Sequence, residues 1–309
     1  MKGNRLLSVL LALILPSISL AFQPCQKKDV SPTVLFSVEN DNISSGLSRR
    51  EFFRNAASII AAGSVLSTAP ESSIAEESSK VLVLGGTGFV GSRVVKKLKE
   101  LGYEVIATSR DGRDGTVPFD VTTEGLNVKE QIQSISKGCM AVISCIGAIG
   151  TSNDASINSA TGLAAAGAKT AGVDRFVYIS VAPEVKTFAK DIDFLKDYMA
   201  GKTFSQDAIQ TSFPSGSTLI EPTFIHGGDE FKINPPRVAG FYGEFIEALL
   251  SSRPVRAITD IAPEGFVKIA LEPPVSVDSV ASAAVAGALG KTNAVLDTYD
   301  KIQEAGSLL

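Results

Sequence analysis

Tyr198 and Lys202 stand four residues apart, a spacing that sets both side chains on one face of a helix. A lysine ammonium beside a tyrosine favours the phenolate and lowers the tyrosine pKa. A tyrosine so placed can exchange a proton with a substrate hydroxyl or carbonyl while a hydride enters or leaves the adjoining carbon. Ser180 ends the run Phe176-Val177-Tyr178-Ile179-Ser180, where its hydroxyl could hold the substrate oxygen. Taken alone, a Tyr/Lys pair at this spacing is common on exposed helices. Its chemistry depends on a hydride carrier bound elsewhere in the chain.

A carrier site is legible upstream. The apolar run Val81–Leu84 reads as a buried strand and leads at once into Gly85-Gly86-Thr87-Gly88-Phe89-Val90-Gly91. Phe89, Val90, Val94, Val95, Leu98 and Leu101 then recur at helical spacing. Strand, glycine turn and helix in that order make a glycine motif a dinucleotide site. Gly85 permits the tight turn, Gly88 lets the backbone approach the pyrophosphate, and Gly91 lets the helix pack close to the strand. Gly86, Thr87, Phe89 and Val90 fill out the turn. The helix N-terminus brings N–H groups and a partial positive charge to the phosphates.

The next strand decides which dinucleotide. An acidic residue near its end binds the ribose 2′-OH in the NAD version of this arrangement. Here the strand ends Ala107-Thr108-Ser109-Arg110. Arg110 can pair a 2′-phosphate, Thr108 and Ser109 can add hydroxyl donors, and Arg113 is a second candidate. Asp111 and Asp114 would favour NAD if the loop turned back. NADP is the expected cofactor, ahead of NAD. Asp120, after the short Val117–Phe119 segment, is expected at the adenine edge. Cys145, Ile146 and the loop that Gly147 opens are expected over the cofactor, with Pro222 completing the contacts.

Hydrophobic residues make up 44% of the 309-residue chain and charged ones 20%, enough apolar content for a substantial core. Net charge is −4, and no basic patch suggests nucleic acid. One histidine and no Cys/His cluster argue against a metal site. His226 reads as a hydrogen-bonded structural residue rather than a base. A small-molecule substrate is the partner that the Tyr/Lys pair implies. Cys139 and Cys145 flank a single strand that separates them by about 20 Å, whereas a disulfide needs Cα atoms within about 7 Å. Both read as small buried hydrophobes.

Lys2 and Arg5 precede the apolar run Leu6–Leu15, and small residues end at Ala21. Residues 1–21 therefore read as a signal peptide. Phe22 after the expected cut resembles the bipartite plastid leaders of algae with complex plastids. In the 22–75 region, Arg49-Arg50, Phe52 and the apolar stretch Ala56–Ala69 make a twin-arginine export signal. Together these predict the plastid and, within it, the thylakoid lumen; the stroma is the alternative. Glu76 would begin the mature chain.

From there strand and helix patterns alternate. Strands are expected at Val81–Leu84, Glu104–Thr108, Ala141–Cys145, Phe176–Ser180 and Ser217–Glu221. Helices are expected at Phe89–Leu101, Val128–Ser136, Ala155–Ala171 and Ile192–Gln210. This alternation predicts an α/β fold, a doubly wound parallel sheet of Rossmann type spanning 76–309. From about Pro222 a small carboxy-terminal lobe is expected to choose the substrate, with helices at Val238–Leu250 and Val277–Leu289.

These motifs, with Asn158-Ser159-Ala160-Thr161, Pro222-Thr223-Phe224-Ile225-His226-Gly227 and Glu272-Pro273-Pro274-Val275-Ser276-Val277, resemble the extended and atypical short-chain dehydrogenase/reductases. The resemblance is strongest to plant chloroplast Rossmann-fold proteins related to the 39-kDa subunit of mitochondrial complex I. It covers Lys80 to about Gly306. It implies NAD(P) binding through Gly85, Gly88 and Gly91, and a catalytic set of Ser180, Tyr198 and Lys202 with Asn158 as a supporting fourth member. The activity implied is an NADP-dependent oxidoreductase, epimerase or dehydratase acting on a small plastid metabolite. Because several members bind NADPH without turnover, a non-catalytic assembly factor for a photosynthetic or quinone-related complex is the other reading. Glu221 stands where relatives often carry Arg before the proline.

Overall fold

The computed structural model describes residues 79–189, 192–228, 232–233, 236–237, 240–253, 255–256 and 266–309. The leader readings, 1–21 and 22–75, lie outside the described residues.

Seven strands form one sheet: β1 (Lys80–Leu84), β2 (Glu104–Ser109), β3 (Val117–Pro118), β4 (Ala141–Ser144), β5 (Arg175–Ile179), β6 (Ser217–Ile220) and β11 (Val295–Leu296). Their order is β11-β6-β5-β4-β1-β2-β3 and every pairing is parallel. This is the doubly wound order, and the direction of winding reverses between β1 and β4. A ligand crevice belongs at the carboxyl ends of those two strands.

The side chains show why the sheet is covered twice. Val81 and Val83 face one layer with Ile143 and Val177, against α1 (Gly91–Glu100) and α8 (Val277–Ala288). Leu82 and Leu84 face the other with Val142, Phe176 and Tyr178. That face is covered by α2 (Val128–Ile135), α3 (Asp154–Thr170) and α5 (Lys196–Ser212). Strand residues alternate between faces, and β1 is apolar at both phases because neither face meets water.

The five expected strands occur within a residue of their predicted bounds. The helix expected over Ile192–Gln210 opens instead with a 3₁₀ turn, Asp193–Leu195, and its α-helical part is α5. Among the elements without a forecast are the helices α4 (Pro183–Ala189), α7 (Phe266–Leu271) and α9 (Tyr299–Gly306) and the short strands, β3 and β11 included. After Pro222, β7 (Ile225–His226) pairs in parallel with β10 (Val275–Ser276), and β8 (Lys232–Ile233) forms an antiparallel pair with β9 (Pro236–Arg237). α6 (Gly240–Leu250) packs on β7 and β10. From Val277 on, α8 returns under β5 and β6, and β11 extends the main sheet. Buried alanines and valines around most of α8 suit it to that position.

Candidate functional site

The turn after β1 is held by contacts that leave no room for side chains. Gly85 lies at φ +74°, the left-handed region that favours glycine. A Cβ on Gly91 would stand 2.1 Å from the Gly85 carbonyl oxygen, so only glycine lets α1 start against the strand end. Gly86 fits the same way under β2, where a Cβ would meet Ala107 Cβ at 2.7 Å. At Gly88 a Cβ would approach only the Gly85 oxygen, at 3.1 Å, and its other sides face the crevice. No side chain caps α1; the Ser92 and Arg93 N–H groups bond back to the Gly88 and Val90 carbonyls, and the positive end of the helix dipole faces the crevice beside Gly88. Thr108 is not an expected phosphate donor alone: its buried Oγ1 accepts the Gly85 N–H at 3.2 Å and fixes the turn.

Two adjoining cavities share Gly88, Cys145, Ile146, Gly147 and Ala148. The first, about 410 Å³, lies beside β2 and is lined also by Gly85, Thr87, Ser109, Arg110, Arg113 and Asp120. Its polar groups answer one another. Ser109 Oγ meets Asp111 Oδ1 at 3.1 Å and Thr116 Oγ1 at 2.7 Å. Asp111 Oδ1 also accepts the Arg113 backbone N–H. The Asp111 carboxylate is thereby engaged within its own loop. Asp120 accepts the Thr122 N–H and hydroxyl at 2.9 and 2.7 Å, bonds that hold its pKa below the usual carboxylate value.

The second cavity, about 240 Å³, is lined by Phe89, Val90, Ile179, Ser180, Val181, Tyr198, Lys202 and the segment Pro222–Ile225. The catalytic candidates meet there because α3 and α5 cross closely. At Gly201 a Cβ would come within 2.7 Å of Asn158 Cβ. Ser205 Oγ donates to the Asn158 carbonyl at 2.6 Å and accepts the Gly162 N–H at 3.0 Å. Those two backbone groups are an i→i−4 pair of α3, so a side chain of α5 inserts at that step. Asn158 Nδ2 donates to Ala148 O at 2.8 Å and Asp154 O at 2.7 Å. Asp154 in turn accepts the Gly150 and Thr151 N–H groups at 2.7 and 2.9 Å, holding the loop that Gly147 opens.

Lys202 is 4% exposed and donates to Ile179 O at 3.0 Å. Its ammonium stands 4.7 Å from the Tyr178 ring centroid and 5.7 Å from that of Tyr198. Burial is the main cause that pushes its pKa down to about 7, and Lys186 acts in the same direction. Tyr198 departs from expectation. Its pKa is raised, by burial first and then by the Asp154 carboxylate; Lys202, bonded to a carbonyl and set above the ring, does not overcome the desolvation of a phenolate. The tyrosine is thus a phenol at neutral pH. Ser180 Oγ and Asn158 Oδ1 are buried with no partner. Burial drives the Cys145 thiol up to about 12, which makes it an inert wall group. Cys139 is free and buried.

These residues fit a dinucleotide. The uncapped glycine turn suits a pyrophosphate. Over Gly147 there is a cradle that a Cβ would fill, 3.2 Å from Lys202 Nζ and 3.5 Å from Asn158 Oδ1, a donor and an acceptor set for ribose hydroxyls. Arg110 and Arg113 line the first cavity.

Several residues carry the site without a sequence signal of their own. Ser205 and Gly201 set the helix crossing. Lys186 Nζ donates to Gln206 Oε1 at 2.6 Å and Glu221 Oε1 at 3.1 Å, and Gln206 bonds the same carboxylate. Lys186 is therefore the partner of Glu221. His226 is 2% exposed and binds Glu247 at 2.5 Å, with Gly243 packed on it; Tyr299 and Gln303 bond the same carboxylate at 2.9 Å. Among the described residues no His, Cys, Asp and Glu cluster could hold a metal, and no helix is long and apolar enough to cross a membrane.

Comparison with known proteins gives the following. An uncharacterized chloroplastic protein of Arabidopsis thaliana is 29% identical over 248 residues, 75% of this chain and 78% of that one. Vestitone reductase of Medicago sativa is 28% identical over 145 residues, 40% of this chain and 44% of the reductase. Among solved structures, UDP-N-acetylglucosamine 4-epimerase of Bacillus cereus superposes with a TM-score of 0.46 at 14% identity, covering 70% of this chain and 76% of the epimerase. A family model described as NAD(P)H-binding matches residues 85–235. That match opens on Gly85, the first residue of the glycine turn, and runs through the Tyr198–Lys202 helix to the Pro222–Ile225 segment of the second cavity; the chain has a Rossmann-type α/β fold whose residues 85–235 are similar to NAD(P)H-binding proteins.

Proposed function

We propose that this protein is an NADP-dependent oxidoreductase, in the class that also includes epimerases and dehydratases, acting on a small plastid metabolite. The observation that carries the reading is the convergence of Ser180, Tyr198 and Lys202 on one cavity that opens into the dinucleotide crevice. When bound, the nicotinamide ring gives or takes the hydride at the substrate carbon. Ser180 Oγ, buried without a partner, holds the substrate oxygen. Tyr198, kept protonated by burial, donates the proton to that oxygen in reduction and receives it in oxidation. Lys202 Nζ and Asn158 Oδ1, both beside Gly147, would hold ribose hydroxyls of the bound dinucleotide. Arg110 and Arg113 supply the charge that favours a 2′-phosphate.

The chloroplastic relative supports a plastid location, and the twin-arginine pattern at Arg49-Arg50 supports the thylakoid lumen within it. A second reading, an NADP(H)-binding assembly factor for a plastid membrane complex, is favoured by one feature: Lys202 is bonded to Ile179 O rather than to the Tyr198 hydroxyl. Tyr198→Phe separates the two. Loss of turnover with NADPH binding intact supports the enzyme, and unchanged turnover sinks the proposed chemistry.

A further inference from the structure

We infer that the substrate is a neutral carbonyl compound, or the matching alcohol, with an apolar ring-sized body and a single oxygen presented to Ser180 and Tyr198. This rests on the reading of the second cavity as the reaction site and names the substrate class that cavity takes.

Among the described residues, the cavity's lining is mostly apolar, with Ser180, Tyr198, Lys202 and Thr223 as its hydroxyl and amine groups. Lys202 Nζ stands beside Gly147 and 5.7 Å from the Tyr198 ring centroid. Phe89, Val181, Phe224 and Ile225 supply large apolar side chains to the lining. Both phenylalanines are backed by packing. Phe224 leans on the buried cluster of Val181, Ala182, Val185 and Ile269. Phe89 lies over the Gly227-Gly228 backbone, where a Cβ on Gly227 would come within 3.5 Å of the ring. A wall held in this way keeps its apolar face toward the ligand.

Charge gives the same answer. A phosphate or carboxylate drawn against such a wall loses its hydration and needs a cation in return. Lys186, on the helix that follows Val181, is engaged with Glu221 and Gln206. Lys202 donates to Ile179 O and borders the ribose cradle. Thr223, the remaining polar side chain among the described lining residues, is uncharged. An apolar body gains about 25 cal/mol for each Å² it removes from water there, and one carbonyl oxygen satisfies the buried Ser180 hydroxyl.

The test measures binding to the purified full-length protein saturated with NADP⁺, by calorimetry, with three probes: 1-indanone, UDP-glucose and 2-oxoglutarate. The inference expects saturable 1-indanone binding at least tenfold tighter than either charged probe. Phe224→Asp and, independently, Thr223→Asp should each weaken 1-indanone binding at least tenfold and leave NADP⁺ affinity unchanged. Thr223→Asp keeps the test valid if Phe224→Asp fails to fold. Tighter binding of UDP-glucose or 2-oxoglutarate, or no saturable 1-indanone binding, overturns the inference. Binding of 1-indanone without NADPH oxidation in the reduction assay leaves the substrate class standing and counts against the oxidoreductase reading instead.

Discussion

The two halves of the crevice are finished differently. Beside β2, the polar side chains satisfy one another: Ser109 with Asp111 and Thr116, Asp120 with Thr122, Thr108 with the Gly85 N–H. Beside β5, Ser180 Oγ and Asn158 Oδ1 are buried without partners, and Lys202 is buried with its pKa pushed down to about 7. A buried unsatisfied polar atom costs about 1–3 kcal/mol. The first half is shaped to receive a ligand through backbone geometry and long-range charge. The second keeps hydrogen-bonding capacity in reserve at a cost in stability, which is where chemistry is expected.

That contrast can be broken in order of effect. Gly91→Val places a branched side chain where a single Cβ would already lie 2.1 Å from the Gly85 oxygen. It should abolish NADPH binding and cost about 3 kcal/mol or more of stability, the range reached when a core is overpacked. A variant that still binds NADPH in fluorescence titration would show that the turn does not set the crevice. On the other side, Tyr198→Phe should lower kcat by about 10²–10⁴-fold and leave NADPH affinity as it was. The two variants together separate binding from chemistry.

Arg110→Ala combined with Arg113→Ala should shift preference from NADPH toward NADH by about tenfold, the loss of one charge-assisted contact. An unchanged ratio would remove these arginines from 2′-phosphate recognition. A separate readout is the pH dependence of stability. Lys202 titrates near 7 when folded and near 10.5 when exposed. Between those values the unfolded chain holds a proton that the native one lacks, so stability without cofactor rises with pH across the window. Lys202→Met should flatten that rise in melting temperature. The same rise in the variant would assign it to another group.

How much of this was legible in the sequence follows from how local each signal is. β1, the glycine turn and α1 lie within a continuous stretch, and their glycines have steric reasons that the structure repeats at Gly85 and Gly91. The doubly wound parallel sheet followed from alternation together with right-handed crossovers. The α3–α5 crossing did not, because it rests on Gly201 and Ser205 meeting Asn158 across 43 to 47 residues of sequence. The Tyr198 shift was misread for a related reason: spacing shows that Lys202 shares its helix face, whereas burial and Asp154 decide the sign. β11 and α9 are short, and tertiary contacts with β6 and α8 define them. Lys186, which pairs with Glu221, could be found only from the folded chain.

The exchange rate of bound NADPH in the wild-type protein tests the central claim most directly. The chain contains no tryptophan, so the nicotinamide fluorescence can be followed without interference from that residue while excess NADP⁺ displaces it. A turnover site requires release within seconds. Release over hours would mark a built-in structural cofactor and contradict the assignment of Ser180, Tyr198 and Lys202 to catalysis.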